Sequence, residues 1–287
     1  MRQTKMPGWV LFLASGLLLA ATLTGCVTNP ATGKSEFVPF MPSRDQQVAL
    51  GVQSSPKFIQ QSGGKYPNER VQQYVQQVGS KILAKVPADQ KQGYQITYTV
   101  LNDEVVNAFA LPGGPIFISK GLLFRLQDES QLAFVLGHET GHVIAQHVGR
   151  QMSTQTELSL VLGAMDAAAG KEPSTTTQLG QKLGQFASQM YLLKYSRTDE
   201  SQADTLGLRY LVDAGYDPAG GIGVMKILES ATGDSGKGND WFQTHPATET
   251  RVADLQKQIQ ARYPQAYNNP AYKRDAAAFQ AGVLKQR

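Results

Sequence analysis

Apolar residues fall at Leu132, Val135, Leu136 and Val143 within residues 127–151, the three- and four-residue steps of a helix that buries one face. Asp128 stands where an N-cap belongs, and Gln131 three positions on completes a capping-box pattern. Residues 69–86 repeat the rhythm with Val71, Tyr74, Val75, Val78, Ile82 and Leu83, and stop near Pro87. A later helix ends around Ala214-Gly215 on a glycine stop. Another begins at Asp217-Pro218 and turns Ile222, Met225 and Leu228 to the core. One more runs from His245-Pro246 through Ile259. Period-two alternation appears at 94–101, and two shorter strands follow at 105–111 and 116–119. The prolines and glycines of Leu111-Pro112-Gly113-Gly114-Pro115 mark a sharp turn between those two and suit a sheet edge. The pattern predicts an α+β fold, mainly helical, with a small mixed or antiparallel sheet.

Two stretches break the pattern. Residues 152–190 are low in charge and rich in Ser, Thr, Gln, Ala and Gly. They read as helices at 158–169 and 179–191 around a loop, either a lid over a site or a packed hairpin. Residues 230–240 are glycine-rich without nucleotide-binding spacing and read as flexible.

Chemistry concentrates in the 127–151 helix, at His138-Glu139-Thr140-Gly141-His142. Histidines four apart share one helical face, so both imidazoles can grip one divalent metal. Glu139 is placed to reach a solvent molecule on that metal rather than the metal itself. Glycines at 137 and 141 are poor helix formers, and small residues there would let another element approach the metal. His147, nine positions after His138, falls on roughly the opposite face of a continuous helix and reads as a surface or second-contact histidine. A zinc site with two histidines needs a third protein ligand. Glu200 is the candidate, with Asp199 the runner-up, and Asp204 one turn along can hold the other nitrogen of a ligand histidine. His245, outside the metal helix, reads on its own as a hydrogen-bonded loop histidine. Asn107, Ala108, Phe109 and Ala110 precede the turn, where an unpaired edge holds an extended peptide as an added strand; a plain hairpin is the alternative.

Charge and cysteine usage narrow the setting. The net charge is +4, and without Arg2 and Lys5 the balance is 25 positive against 23 negative, or +2. No basic stripe stands out, which disfavours nucleic acid. Arg2 and Lys5 precede an apolar run at 9–21, as in a secretory signal. Leu23-Thr24-Gly25-Cys26 then resembles the bacterial lipobox, and Cys26 is the chain's one cysteine. Lipidation there would leave no free thiol, and Val27 in place of Asp points to the outer membrane, facing the periplasm. The expected organisation is a signal peptide at 1–25, a lipid-anchored tether at 26–55, a catalytic domain at 56–262 and a peripheral tail at 263–287.

Taken in order, Asn107-Ala-Phe-Ala-Leu-Pro-Gly-Gly, His138-Glu-Thr-Gly-His142, Glu200-Ser-Gln-Ala-Asp204 and His245-Pro…Arg251 resemble the HtpX/CAAX-prenyl-protease type of zinc metallopeptidase, a gluzincin. The lipobox makes the chain most similar to the soluble periplasmic lipoprotein branch. The resemblance implies a zincin-type core with an edge strand over a two-helix site, one Zn2+ per chain and endopeptidase activity in envelope protein quality control. The resemblance alone makes His245 and Arg251 candidates for the oxyanion region, or His245 a group that occupies the water's place on zinc. The implied partners are protein or peptide substrates, the membrane through Cys26, and the outer-membrane assembly machinery. A chaperone-like or scaffold lipoprotein with little proteolysis is the rival reading; a cell-wall amidase is disfavoured by the peptide-binding edge block.

Overall fold

In the computed structural model, which describes residues 26–29, 32–168, 194–231, 241–246 and 250–287, the main core forms around one buried helix. The N-terminal ribbon pairs β1 (Cys26–Thr28) with β2 (Ser35–Phe37) in antiparallel fashion. Helices α1 (Arg44–Gln61) and α2 (Glu69–Leu83) follow. A three-stranded sheet comes next: β3 (Thr97–Leu101), β4 (Ala108–Ala110) and β5 (Pro115–Ser119), in the order β3-β5-β4. The sheet is mixed: β3 runs parallel to β5, and β4 antiparallel to it with Ala108 opposite Ile118. Then come α3 (Glu129–Ile144), α4 (His147–Ala168), α5 (Arg197–Asp213), α6 (Ala219–Ala231), α7 (Arg251–Arg262) and α8 (Ala276–Gly282). Among the described residues, no helix is long and apolar enough to cross a membrane.

All sixteen residues of α3 are buried. Asp128 caps it by accepting from the Gln131 amide, while the Gln131 side chain accepts from the Gln127 amide, one residue earlier than a reciprocal capping box requires. Val71, Val75, Val78 and Ile82 of α2 and the Tyr98, Val100, Ala108, Ala110, Ile116 and Ile118 face of the sheet enclose it. The Tyr98 hydroxyl lies 2.9 Å from Thr140 Oγ1, and Thr140 donates to the Leu136 carbonyl at 2.7 Å. At the N-terminal end of α3, buried Glu129 takes hydrogen bonds from Tyr74, Tyr216 and Lys81. Burial opposes its charge, but these donors win and hold the carboxyl below its ordinary range.

Helix α5 crosses α3 at backbone distance. A methyl group on Gly207 would come 3.0 Å from the His138 amide nitrogen, and one on Gly141 would come 3.2 Å from the Ala203 Cα. The small residues beside the histidines therefore do let a second helix approach, and that helix carries Glu200.

Three expectations change. The stretch read as a tether to residue 55 contains most of α1, which Ser43 caps in a full capping box and which buries Gln47, Gly51 and Phe58. Seven of its eighteen residues are Gln or Ser, and its apolar residues do not keep helical spacing, so little periodicity announces it. Gly51 admits the turn before β5: a methyl there would overlap the Pro112 carbonyl oxygen at 2.0 Å. The tail at 263–287 is no peripheral cover, because Phe279 and Val283 are fully buried in the main core. The helix at 127–151 is two helices. The chain breaks at Gln146, in the left-handed region at φ +58, and restarts as α4. Of the proposed lid, 152–168 is the body of α4, while 169–190 lies outside the described residues, as do the signal segment 1–25 and the glycine-rich run at 232–240.

Candidate metal centre

Helix α3 aims the two histidine rings at one point, with their Nε2 atoms 3.0 Å apart. From α5, Glu200 reaches the same point, Oε2 lying 3.6 Å from His138 Nε2 and Oε1 3.5 Å from His142 Nε2. His245 completes a group in which one ligand atom from each residue lies within 4.8 Å of every other. Ligand atoms of a tetrahedral zinc with bonds of ~2.0–2.1 Å lie ~3.3 Å apart, close to the spacings here. The three histidines are wholly buried and Glu200 is 1% exposed. Neither carboxylate oxygen of Glu200 or of Glu139, nor His245 Nε2, has a hydrogen-bond partner among the described residues. Glu139 carries no compensating cation and Glu200 has only the Arg251 guanidinium, 2.7 Å from Oε2, so the two buried acids, packed beside two more, leave room for a further positive charge. Burial accordingly pushes the Glu200 carboxyl well above its ordinary range and Glu139 up to about 8. The donor set, its spacing and its missing partners fit a divalent metal.

The ligands are held from behind. Asp204 Oδ1 lies 3.0 Å from His138 Nδ1, off hydrogen-bond alignment but in the place expected for it. Arg251 grips Asp204 with two hydrogen bonds, Nε at 3.0 Å and Nη2 at 2.7 Å, and sets Nη1 2.7 Å from Glu200 Oε2. Its guanidinium is thus committed to the acids of α5, behind the ligands, which corrects its reading as an oxyanion group. Asp199, the runner-up ligand, instead forms a capping box with Ser196.

Of the two readings of His147, the structure has the second contact and not the surface, and its placement on the opposite face is corrected. It is buried, because the break at Gln146 resets the helical phase and swings the ring back to the site. Its Nδ1 lies 2.9 Å from His142 Nδ1 and its Nε2 lies 3.0 Å from Gln202 Oε1. The Asn29 amide donates to that same Gln202 oxygen at 2.8 Å and to Glu36 at 3.1 Å. This orients each proton. Gln202 Oε1 accepts from His147 Nε2–H, so His147 Nδ1 accepts from His142 Nδ1–H, and His142 Nε2 keeps its lone pair for metal. Burial holds both imidazoles below their ordinary pKa, in the neutral form that this chain of bonds requires. Replacing Gln202 with Leu, which removes the acceptor, should weaken metal affinity about 10–100-fold with little change in fold, as read by competition with a chelator.

Two aromatic residues complete the site. Tyr195 lies over His142 with ring centroids 3.8 Å apart. Trp241 stacks on His245 at 4.2 Å and 18°, and its amide donates to the Val106 carbonyl just before β4. A signal for Trp241 was available: it is the only tryptophan after position 25, four residues before His245. Gln202 and Tyr195 had no comparable mark.

Strand β4 is an edge among the described residues and packs against α3. Leu111 N–H bonds the Pro115 carbonyl and Ser119 N–H bonds the Asn107 carbonyl. By alternation, Ala108 and Ala110 therefore point their N–H and C=O groups away from β5. Phe109 puts its side chain on the opposite sheet face, stacked on Phe117. The Asn107 backbone N–H donates to Ser119 Oγ, and its side-chain oxygen has no hydrogen-bond partner among the described residues.

The sequence profile of peptidase family M48 matches residues 69–259. Across 158 residues the chain is 33% identical to the mitochondrial metalloendopeptidase OMA1 of Schizosaccharomyces pombe, covering 55% of this chain and 45% of that one. It is 24% identical over 263 residues to the beta-barrel assembly-enhancing protease of Escherichia coli, covering 86% and 52%. To the metalloprotease YcaL of Escherichia coli it is 29% identical over 178 residues, covering 62% and 67%. The chain thus spans about half the length of the first two relatives.

Proposed function

Because the chain belongs to peptidase family M48, we propose that it is a zinc-dependent endopeptidase that hydrolyses misfolded or misassembled proteins of the bacterial envelope. The observation that carries the chemistry is the convergence of His138, His142 and Glu200, from two helices, beside the unpartnered carboxylate of Glu139. The envelope setting draws on similarity to a beta-barrel assembly-enhancing protease and on the lipobox, which assigns a lipid anchor to Cys26 in the outer membrane, facing the periplasm. Outer-membrane assembly machinery is the corresponding partner.

His138, His142 and Glu200 would hold the zinc, which when bound supplies a Lewis acid that acidifies water and polarises a carbonyl. Glu139 takes the proton of the attacking water and delivers it to the leaving amine nitrogen. Asp204 and His147 hold the far nitrogens of the two ligand rings, and Arg251 balances the acids of α5. The outward N–H and C=O groups of Ala108 and Ala110 take an extended substrate as an added strand, with Asn107 and Phe109 beside it.

His245 keeps this site latent. Its imidazole nitrogen already belongs to the ligand cluster and lies 3.4 Å from Glu139 Oε1, where a water would have to enter. His245→Ala should raise casein hydrolysis about tenfold; an equal or lower rate contradicts latency. Unfolded casein, incubated with and without a chelator and again after zinc is restored, tests the activity itself. Cleavage that follows the metal supports a peptidase. Casein binding without cleavage supports a chaperone-like lipoprotein.

A further inference from the structure

We propose that the β1–β2 hairpin is a membrane-contact element, in which Phe37 and Phe40 seat in the lipid–water boundary beside position 26. The inference rests on the lipid-anchor reading above. In the ribbon register, Cys26 stands opposite Phe37. Directly opposed residues of an antiparallel pair have Cα atoms about 5 Å apart, so acyl chains on residue 26 bring Phe37 to the headgroups.

The two phenylalanines are otherwise hard to explain. Phe37 is 56% exposed and Phe40 60%, the highest values among the large hydrophobic residues described. Phe40 also takes a left-handed backbone, φ +58, which bulky residues avoid. Their neighbours turn inward. Glu36 pairs with Arg150, and the Pro39 carbonyl accepts from Ser153. The chain thus turns 36 and 39 to the protein and 37 and 40 to the surroundings. Phenylalanine is among the side chains that interfacial segments bury at the headgroup–acyl boundary, and exposed Lys34 on the same hairpin suits anionic headgroups.

The contact has a consequence for the site. Asn29 is fully buried and joins Gln202, His147 and His142 in one hydrogen-bonded line. Three residues of extended chain separate position 26 from Asn29, so the metal cluster stands no more than about 30 Å from the anchored residue. A site so held meets extended segments at the bilayer surface before it meets proteins free in the periplasm.

The test uses the full chain, processed and lipidated in cells, with acyl chains on Cys26 verified by mass. Phe37→Trp and Phe40→Trp variants enter vesicles of phosphatidylethanolamine and phosphatidylglycerol with and without brominated acyl chains. Buried Trp241 gives a constant background, and Tyr267→Trp is the control. Tyr267 directly precedes Asn268, whose backbone amide donates to Asp217, four residues past the end of α5, an end that lies about 16 Å along the helix from Gln202. Blue-shifted emission at positions 37 and 40, with brominated lipid removing at least half of it and sparing position 267, is the expected result. Acylated protein whose introduced indoles at positions 37 and 40 emit as in water overturns the membrane contact while the anchor stands. Blue-shifted emission that ignores brominated lipid assigns the face to a protein partner or a second copy, and also overturns it. A mass without acyl chains refutes the anchor and the proposal with it.

Discussion

Glu139→Gln is expected to keep one metal per chain and to lose turnover by about 10³-fold or more. The amide matches the carboxylate in size, and no hydrogen bond to the acid is lost, because neither oxygen has a partner among the described residues. The proposed ligand atoms belong to His138, His142 and Glu200, so the metal should stay. What disappears is the basic oxygen that takes the water's proton, since an amide cannot exchange one at neutral pH. A matched comparison of casein cleavage and zinc content reads both halves. Loss of metal together with activity would make Glu139 structural, and retained cleavage would remove it from the reaction.

Arg251→Ala is expected to cost about 3–5 kcal/mol of stability, because it strands two buried acids. In a domain of this size that lowers Tm by ~10 °C. Arg251→Lys should recover only part of it, since an ammonium cannot make the two-pronged contact that Asp204 receives from Nε and Nη2. The pH dependence follows from Asp204. Burial alone would raise its pKa, but Arg251 and then His138 overcome this and bring it down to about 2, against 3.8 for an ordinary aspartate. A depressed folded-state pKa stabilises the protein above pH ~4, and that contribution, roughly 2 kcal/mol, is lost as pH falls from there through about 2. The wild type should show this acid limb in thermal melts, and Arg251→Ala should flatten it. If Arg251 instead served the oxyanion, its removal would lower kcat and leave the melt unchanged.

Much of the site could be read in the sequence because it is written locally. The two histidines and Glu139 lie within five residues of one helix, and Glu200 and Asp204 are one turn apart on another. The small residues at 137 and 141 correctly announced a close partner, although Gly207, which completes the crossing, lies 66 positions after Gly141. Local spacing could not supply what depends on chain breaks and distant pairing. His147 was misplaced because one residue in the left-handed region, Gln146, ends α3 and invalidates the rotation counted from His138. Arg251 was assigned together with His245 as one block of the zinc-peptidase resemblance, whereas its partners are acids 47 and 51 positions earlier. Helix α1 was missed because its burial rests on Gln47, Gly51 and Phe58, too few apolar positions to set a rhythm. The parallel pairing of β3 with β5 depends on a crossover that no single strand records.

The central claim is that His138, His142 and Glu200 together hold one zinc. Zinc content per chain, measured by mass spectrometry of the elements on purified wild type and Glu200→Ala, tests it most directly. One equivalent in the wild type and near none in the variant is predicted. A wild type without stoichiometric zinc, or a Glu200→Ala protein that binds it as tightly, would contradict the account.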